Sequence, residues 1–287
     1  MRDYFSLVKF SHTIFALPFS LVGFFLAVCH PAHSFSYLKL GLVLGCMVTA
    51  RNAAMAFNRY VDRKIDALNP RTENREIPAG ILSPTGVVVF IWANILLFVL
   101  CCYFLNTLCL LLSPVALIII LGYSYTKRFT WMCHLILGLG LALAPVGSYL
   151  AVTGQFDIVP VLYGGAVLTW VAGFDIIYAL QDRTFDEHAQ LYSIPQAIGE
   201  DNALRVSILL HLVTGGLLCV AGWFIVDLYP RLDWIHWLGL GIFLVMLVYQ
   251  HIIISSKDQS KINMAFFTTN GLASVVFGVL MILDLMT

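Results

Sequence analysis

Two short strings in this chain repeat one pattern of charge: DRKID, from Asp62 to Asp66, and DRTFD, from Asp182 to Asp186, displaced by 120 residues. Each is followed by an Ile-Pro step, at Ile77-Pro78 and at Ile194-Pro195. Carboxylates four residues apart on a helix lie about 40° apart around its axis, so both can approach one cation. The chemistry such pairs suit is coordination of a divalent metal by hard oxygen donors.

The first cluster, NRYVDRKIDALNPRTENREIPAG, runs from Asn58 to Gly80. Asn58, Asp62 and Asp66 fall at i, i+4 and i+8, one face carrying an amide oxygen and two carboxylates suited to Mg²⁺. Arg63, Lys64, Arg71 and Arg75 follow closely. A site for a cation alone gains little from four positive neighbours, whereas a phosphorylated ligand bridged by Mg²⁺ uses both signs of charge, so the pairing points to a diphosphate. In the second cluster, Gly173 to Gly199, Asp175, Asp182 and Asp186 fall at i, i+7 and i+11, a stripe that descends into an apolar segment. An acid inside a membrane span costs about 2.5–3.5 kcal/mol on insertion scales and normally faces a polar cavity.

Simpler readings account for less. Asp62 and Asp66, or Asp182 and Asp186, could form surface pairs with basic neighbours, worth about 0.2–0.5 kcal/mol each. That does not explain two pairs at matched spacing, both extended by further polar donors. The seven cysteines contain no C-x-x-C pair and read as small buried hydrophobes. Gly138, Gly140, Gly215 and Gly216 read as close helix contacts. A zero formal net charge argues against nucleic acid as a partner.

The elements that position these motifs are membrane helices. With 60% hydrophobic and 11% charged residues, the chain has too little polar surface for a soluble globule. Spans of about 20 residues fall near 12–29, 38–57, 84–105, 108–125, 131–150, 161–180, 205–227, 235–254 and 262–285, an all-α bundle of nine helices forming one domain over 1–287. Lys9 before an apolar stretch resembles an export signal, but no small-residue cleavage pattern closes it and Pro18 interrupts it, so it reads as the first permanent helix. With an inside amino terminus, fourteen Lys and Arg fall on the inner side and only Lys39 and Arg231 on the other. This bias places both acidic motifs on the cytoplasmic face of the cell's inner membrane. Residues 58–83 and 181–205 hold sixteen of the thirty-two charged side chains, and their offset suggests parallel halves of a duplication. A secondary transporter would instead be expected to hold its acids near the bilayer midplane, within inverted repeats.

On these strings the chain resembles the UbiA superfamily of intramembrane aromatic prenyltransferases. NRYVDRKID with the downstream RTENREIPAG resembles the family's first motif, N-D-x-x-D-x-x-x-D, and DIIYALQDRTFD resembles the second, D-x-x-Y-A-x-x-D-x-x-x-D. Lys127-Arg128 in SYTKRFT resembles the basic pair after the fourth helix in 4-hydroxybenzoate prenyltransferases. One departure is Arg59, where the family commonly has Asp. The resemblance implies Mg²⁺ held by Asn58, Asp62 and Asp66 on one side and by Asp182 and Asp186 on the other. It implies a polyprenyl diphosphate neutralised by Arg63, Arg71, Arg75, Lys127 and Arg128, ionising to a cation that alkylates an aromatic acid. Tyr60, Tyr123, Tyr125, Trp170 and Tyr178 are the expected aromatic surroundings of that cation. Lys9, His12 and Tyr178 are expected at the acceptor, with Asp175 orienting it or taking its proton. The acceptor is a 4-hydroxybenzoate or, as ARNAAMAFNR also suggests, a dihydroxynaphthoate; both lead to a lipid quinone.

Overall fold

The computed structural model describes residues 2–8, 15–229, 232–255, 258 and 260–287, and these form helices with no β-strand. In chain order they are α1 (Arg2–Leu7), α2 (Leu17–Cys29), α3 (Tyr37–Asp66), α4 (Pro84–Leu105), α5 (Thr107–Thr126), α6 (Cys133–Thr153) and α7 (Ile158–Ala179). A 3₁₀ turn at Leu180–Asp182 leads into the short helices α8 (Arg183–His188) and α9 (Ile194–Ile198). The chain ends with α10 (Glu200–Leu228), α11 (Ile235–Ile253), a π-helical turn at Met264–Thr269 and α12 (Asn270–Met286). Among the described residues eight helices are long and apolar enough to cross a membrane and α2 is a shorter apolar helix, so the expected nine is met only approximately. Pro18 sits in the first turn of α2, where its missing N–H has no intrahelical partner to lose, so it opens this helix instead of interrupting it.

Local sequence fixes the breaks. Asn106 is extended between α4 and α5, where its side chain accepts the Cys109 N–H (2.8 Å) and donates to the Leu150 carbonyl of α6 (2.8 Å). The short break in that apolar run is therefore a true helix end, capped on one side and anchored to a neighbour. Ser83 caps α4 with Pro84 in its first turn, and Asp157 caps α7 through the Val159 N–H. At 30 residues, α3 is about 45 Å long, so its last turns extend past the expected span and carry Asn58, Asp62 and Asp66 on regular helix. The second stripe differs: α7 tightens into the 3₁₀ turn before Asp182, so Asp175 and Asp186 are joined across a change of helix type.

The core is aromatic. Phe19 of α2 packs on Trp170, Phe243 and Phe277 from three other helices, and the fully buried Trp170 donates its indole N–H to Asn270 (2.9 Å). Trp170 is thus a core residue, not part of a cation's surroundings. Close helix packing uses some of the expected glycines. A Cβ on Gly138 would sit 2.3 Å from the Leu168 carbonyl of α7, and one on Gly215 3.0 Å from Leu244; one on Gly140 would make only ordinary contact, and one on Gly216 would meet open space. Gly23, not singled out above, would meet the Pro145 carbonyl at 2.1 Å. Gly138→Val is therefore expected to cost about 1–3 kcal/mol by forcing α6 from α7. Gly216→Ala should leave stability unchanged or raise it by up to about 1 kcal/mol. Thermal midpoints of the two variants in detergent check the contrast.

Candidate active site

The two acidic motifs end α3 on one side and α7–α8 on the other, and they face each other across a cavity of about 310 Å³. Each carboxylate of the two D-x-x-x-D pairs is paired with a different cation. Asp62 accepts from Arg128 (2.9 Å) and from the Asn58 amide (3.0 Å), and Asp66 accepts from Arg75 (2.6 Å). Asp186 meets Lys127 (2.7 Å), and Asp182 takes a two-pronged bond from Arg71, through Nε at 2.9 Å and through a guanidinium nitrogen. In each pair the acid is the more buried partner. The cations thus cover the acids from the open side.

The loop after α3 is ordered so that it delivers two of these cations. Asn69 Oδ1 accepts the Arg71 backbone N–H (2.9 Å), a local turn that starts the loop, while its amide donates to Asp182 (3.2 Å). Thr72 Oγ1 donates to the Asp66 carbonyl (3.0 Å). Further along, Ile77 and Leu82 bury against Leu7, Ala56, Val87 and Ile91, and Ser6 of α1 donates to Glu76 (2.5 Å). Burial works against the Arg71 charge, but its bonds to Asp182 outweigh this and hold its pKa above the ordinary arginine range. Lys127 and Arg128 come from the turn after α5, and the Lys127 carbonyl accepts the Tyr192 N–H (2.7 Å).

Not every expected residue arrives. Arg63 donates to the Tyr60 carbonyl of its own helix (2.6 Å) and lies over the Tyr60 ring (4.3 Å), and it does not line the cavity. The reason is helical: it is one residue, about 100°, past Asp62. Tyr60 and Tyr125 likewise sit outside the lining, under Arg63 and Arg128, whereas Tyr123 and Tyr178 line it. The Tyr178 hydroxyl accepts from Arg71 (3.0 Å), beside the second acidic motif. Asp175 lines the cavity and bonds His134 (2.7 Å). Lys9 and His12 lie outside the described residues.

The lining also holds Arg59, the departure from the first motif, and Arg51, Asn69 and His134, which the motifs did not single out. Arg51 had a signal: a cation within an apolar span is as costly as the acid at Asp175. Arg51, Met55, Tyr123, Leu137 and Leu141 also line a second cavity of about 340 Å³ with mainly apolar walls, so the two spaces adjoin there. As for a metal, the donors present fit a hard cation: Asn58, Asp62, Asp66, Asp182 and Asp186 offer oxygen, and Asp66 Oδ2 is buried without a hydrogen-bond partner. Among the described residues no three His, Cys or acidic side chains gather closely enough to hold one ion in this arrangement; each motif carboxylate is turned to its own cation.

A charged cavity at one end of a membrane bundle, joined to an apolar one, is the form of an intramembrane enzyme that handles an amphiphile with an anionic head. Residues 16–272 match the model of the UbiA prenyltransferase family. The chain belongs to that family and is a membrane-embedded prenyltransferase. It is 28% identical over 232 residues to the 4-hydroxybenzoate octaprenyltransferase of Tolumonas auensis, covering 81% of this chain and 79% of that protein. The apo structure of a UbiA homolog from Aeropyrum pernix K1 superposes with a TM-score of 0.84 at 31% identity, over 95% of this chain and 98% of that one. A UbiA homolog from Archaeoglobus fulgidus bound to DMAPP and Mg²⁺ shares the fold, with a TM-score of 0.77 at 20% identity over 99% of each chain.

The geometry separates the arginines. Arg71→Ala is expected to lower kcat/KM for the prenyl donor by about 10- to 100-fold, the scale of one charge-assisted bond. Arg63→Ala should stay within about twofold of the parent. Steady-state transfer assays on both variants, with thermal midpoints as a folding control, decide it.

Proposed function

We propose that the protein transfers a polyprenyl group from polyprenyl diphosphate to a ring carbon of a hydroxylated aromatic acid of the 4-hydroxybenzoate type, a step toward a lipid quinone. The carrying observation is the ring of four acid–base pairs around one cavity, which a diphosphate and a divalent cation would exchange for their own partners. The relatives named 4-hydroxybenzoate octaprenyltransferase support the acceptor class. The basic residues near the motifs support a cytoplasm-facing site in the inner membrane.

In this reading Arg71, Arg75, Lys127 and Arg128 turn from the carboxylates to the diphosphate oxygens. Asn58, Asp62, Asp66, Asp182 and Asp186 would then hold Mg²⁺, which when bound neutralises charge on the leaving diphosphate. The prenyl chain occupies the apolar cavity beyond Arg51 and Tyr123. Arg51, at the junction, is the cation suited to the acceptor's carboxylate. The phenolic proton passes to Asp175 and the ring carbon bonds the allylic carbon, whose C–O bond breaks with its electron pair leaving on the diphosphate. The ring proton then goes to the diphosphate and Asp175 returns the phenolic proton, restoring the aromatic ring. The rings of Tyr123 and Tyr178 favour the transient allylic cation, and the apolar walls keep water from it.

Purified protein should transfer a prenyl chain to 4-hydroxybenzoate only with Mg²⁺, and Asp62→Ala or Asp182→Ala should abolish transfer without unfolding. An acceptor panel that includes dihydroxynaphthoates, read by product mass, tests the acceptor. Full turnover in excess chelator would sink the metal assignment, and product with no hydroxylated aromatic acid would sink the acceptor class.

A further inference from the structure

His134 opens the first turn of α6, is almost fully buried (2% exposed), and belongs to neither acidic motif. Its two ring nitrogens do different work. Nε2 accepts the backbone N–H of Ile194 (3.3 Å), so that nitrogen carries no proton. Nδ1 lies 2.7 Å from Asp175 Oδ2, so it is the protonated nitrogen and donates to the carboxylate. The Nδ1–H of the imidazole therefore holds Asp175 by one oxygen. The Asp175 side chain remains 23% exposed, on the wall of the charged cavity.

The other bond of His134 reaches the segment after the second acidic motif. That segment is pinned three times in succession: the Leu191 N–H donates to the Asp186 carbonyl (2.9 Å), the Tyr192 N–H to the Lys127 carbonyl (2.7 Å), and the Ile194 N–H to His134. Leu191 lines the cavity as well. Of the three pins, His134 is the one that also touches the acid assigned to the acceptor.

We propose that His134 is a positioning residue for prenyl transfer: it fixes the Asp175 carboxylate with one oxygen toward the acceptor hydroxyl, and sets its depth relative to the segment that carries Leu191. The inference rests on the reading of Asp175 as the group that takes the acceptor's proton. A carboxylate with a free χ2 spreads its two oxygens over many orientations, whereas a buried donor on one oxygen leaves a single direction for the other. His134 thereby acts on the turnover of bound acceptor and not on the binding of the diphosphate, whose partners are other residues.

The test compares His134→Ala, His134→Asn, His134→Gln and Asp175→Asn in the full-length protein, with saturating prenyl diphosphate, Mg²⁺ and 4-hydroxybenzoate as probes. His134→Ala should lower kcat about 10- to 100-fold, the usual scale for losing a residue that orients a reacting group, with the donor's KM unchanged within about twofold. An Asn amide occupies the place of Nδ1–H and should recover most of the loss, whereas a Gln amide mimics Nε2 and should not. In the Asp175→Asn background, His134→Ala should add no further loss. Unchanged kcat in His134→Ala, multiplying losses in the double variant, or Gln rescuing as well as Asn would overturn the proposal. Should His134→Ala fail to fold, the Asn and Gln pair carries the comparison alone. If Asp175→Asn itself keeps full kcat, the reading of Asp175 fails and this proposal falls with it. If Asp175→Asn is impaired and His134→Ala is not, that reading stands and only the role of His134 is lost.

Discussion

Four carboxylates crowded at one end of an apolar bundle repel one another, and the structure depends on how that repulsion is met. Two unit charges about 4 Å apart interact by about 4 kcal/mol at an effective dielectric of 20, and burial removes the water that would otherwise screen them. The chain brings one cation to each acid: Arg128 to Asp62, Arg75 to Asp66, Arg71 to Asp182 and Lys127 to Asp186. Those cations come from the connections after α3 and α5, so the same pairs that neutralise the acids also order both connections over the cavity. The acids are the more buried partners on helix ends, and the cations are the more exposed partners on loops.

How much of this could be read from residues alone depends on whether a residue obeys a period. Asn58, Asp62 and Asp66 lie on regular helix and are legible from spacing, as are the apolar runs. Arg63 is close to the acids in sequence, though helical geometry turns it about 100° from the stripe. Trp170 has a ring suited to a cation, but its indole N–H already has a buried partner in Asn270. His134 had no signal of this kind, because a single histidine at a helix start has no repeat; its role comes from three segments that only the fold brings together.

Arg59 illustrates the same limit from the other side. It stands where the family commonly has an acid, and in the structure it is buried on α3 and lines the cavity. The described lining then carries six arginines and lysines, Arg51, Arg59, Arg71, Arg75, Lys127 and Arg128, against five aspartates. A site with that balance is slightly positive before any ligand enters, and so favours an anionic head over a bare cation.

The pairing also constrains the order in which ligands can act. A diphosphate that entered alone would draw Arg71, Arg75, Lys127 and Arg128 away and leave buried carboxylates uncompensated, a cost of several kcal/mol for each group left unpaired. A divalent cation that entered alone would face four basic side chains already occupying the acids. On the proposed reading, a donor and cation entering together would each satisfy what the other displaces: the basic residues would exchange carboxylate for phosphate oxygen while the acids would exchange ammonium and guanidinium for metal. On that reading the paired arrangement would favour donor and cation chiefly as a unit. It also keeps the acids neutralised between turnovers, when the cavity beside the lipid would otherwise hold unbalanced charge.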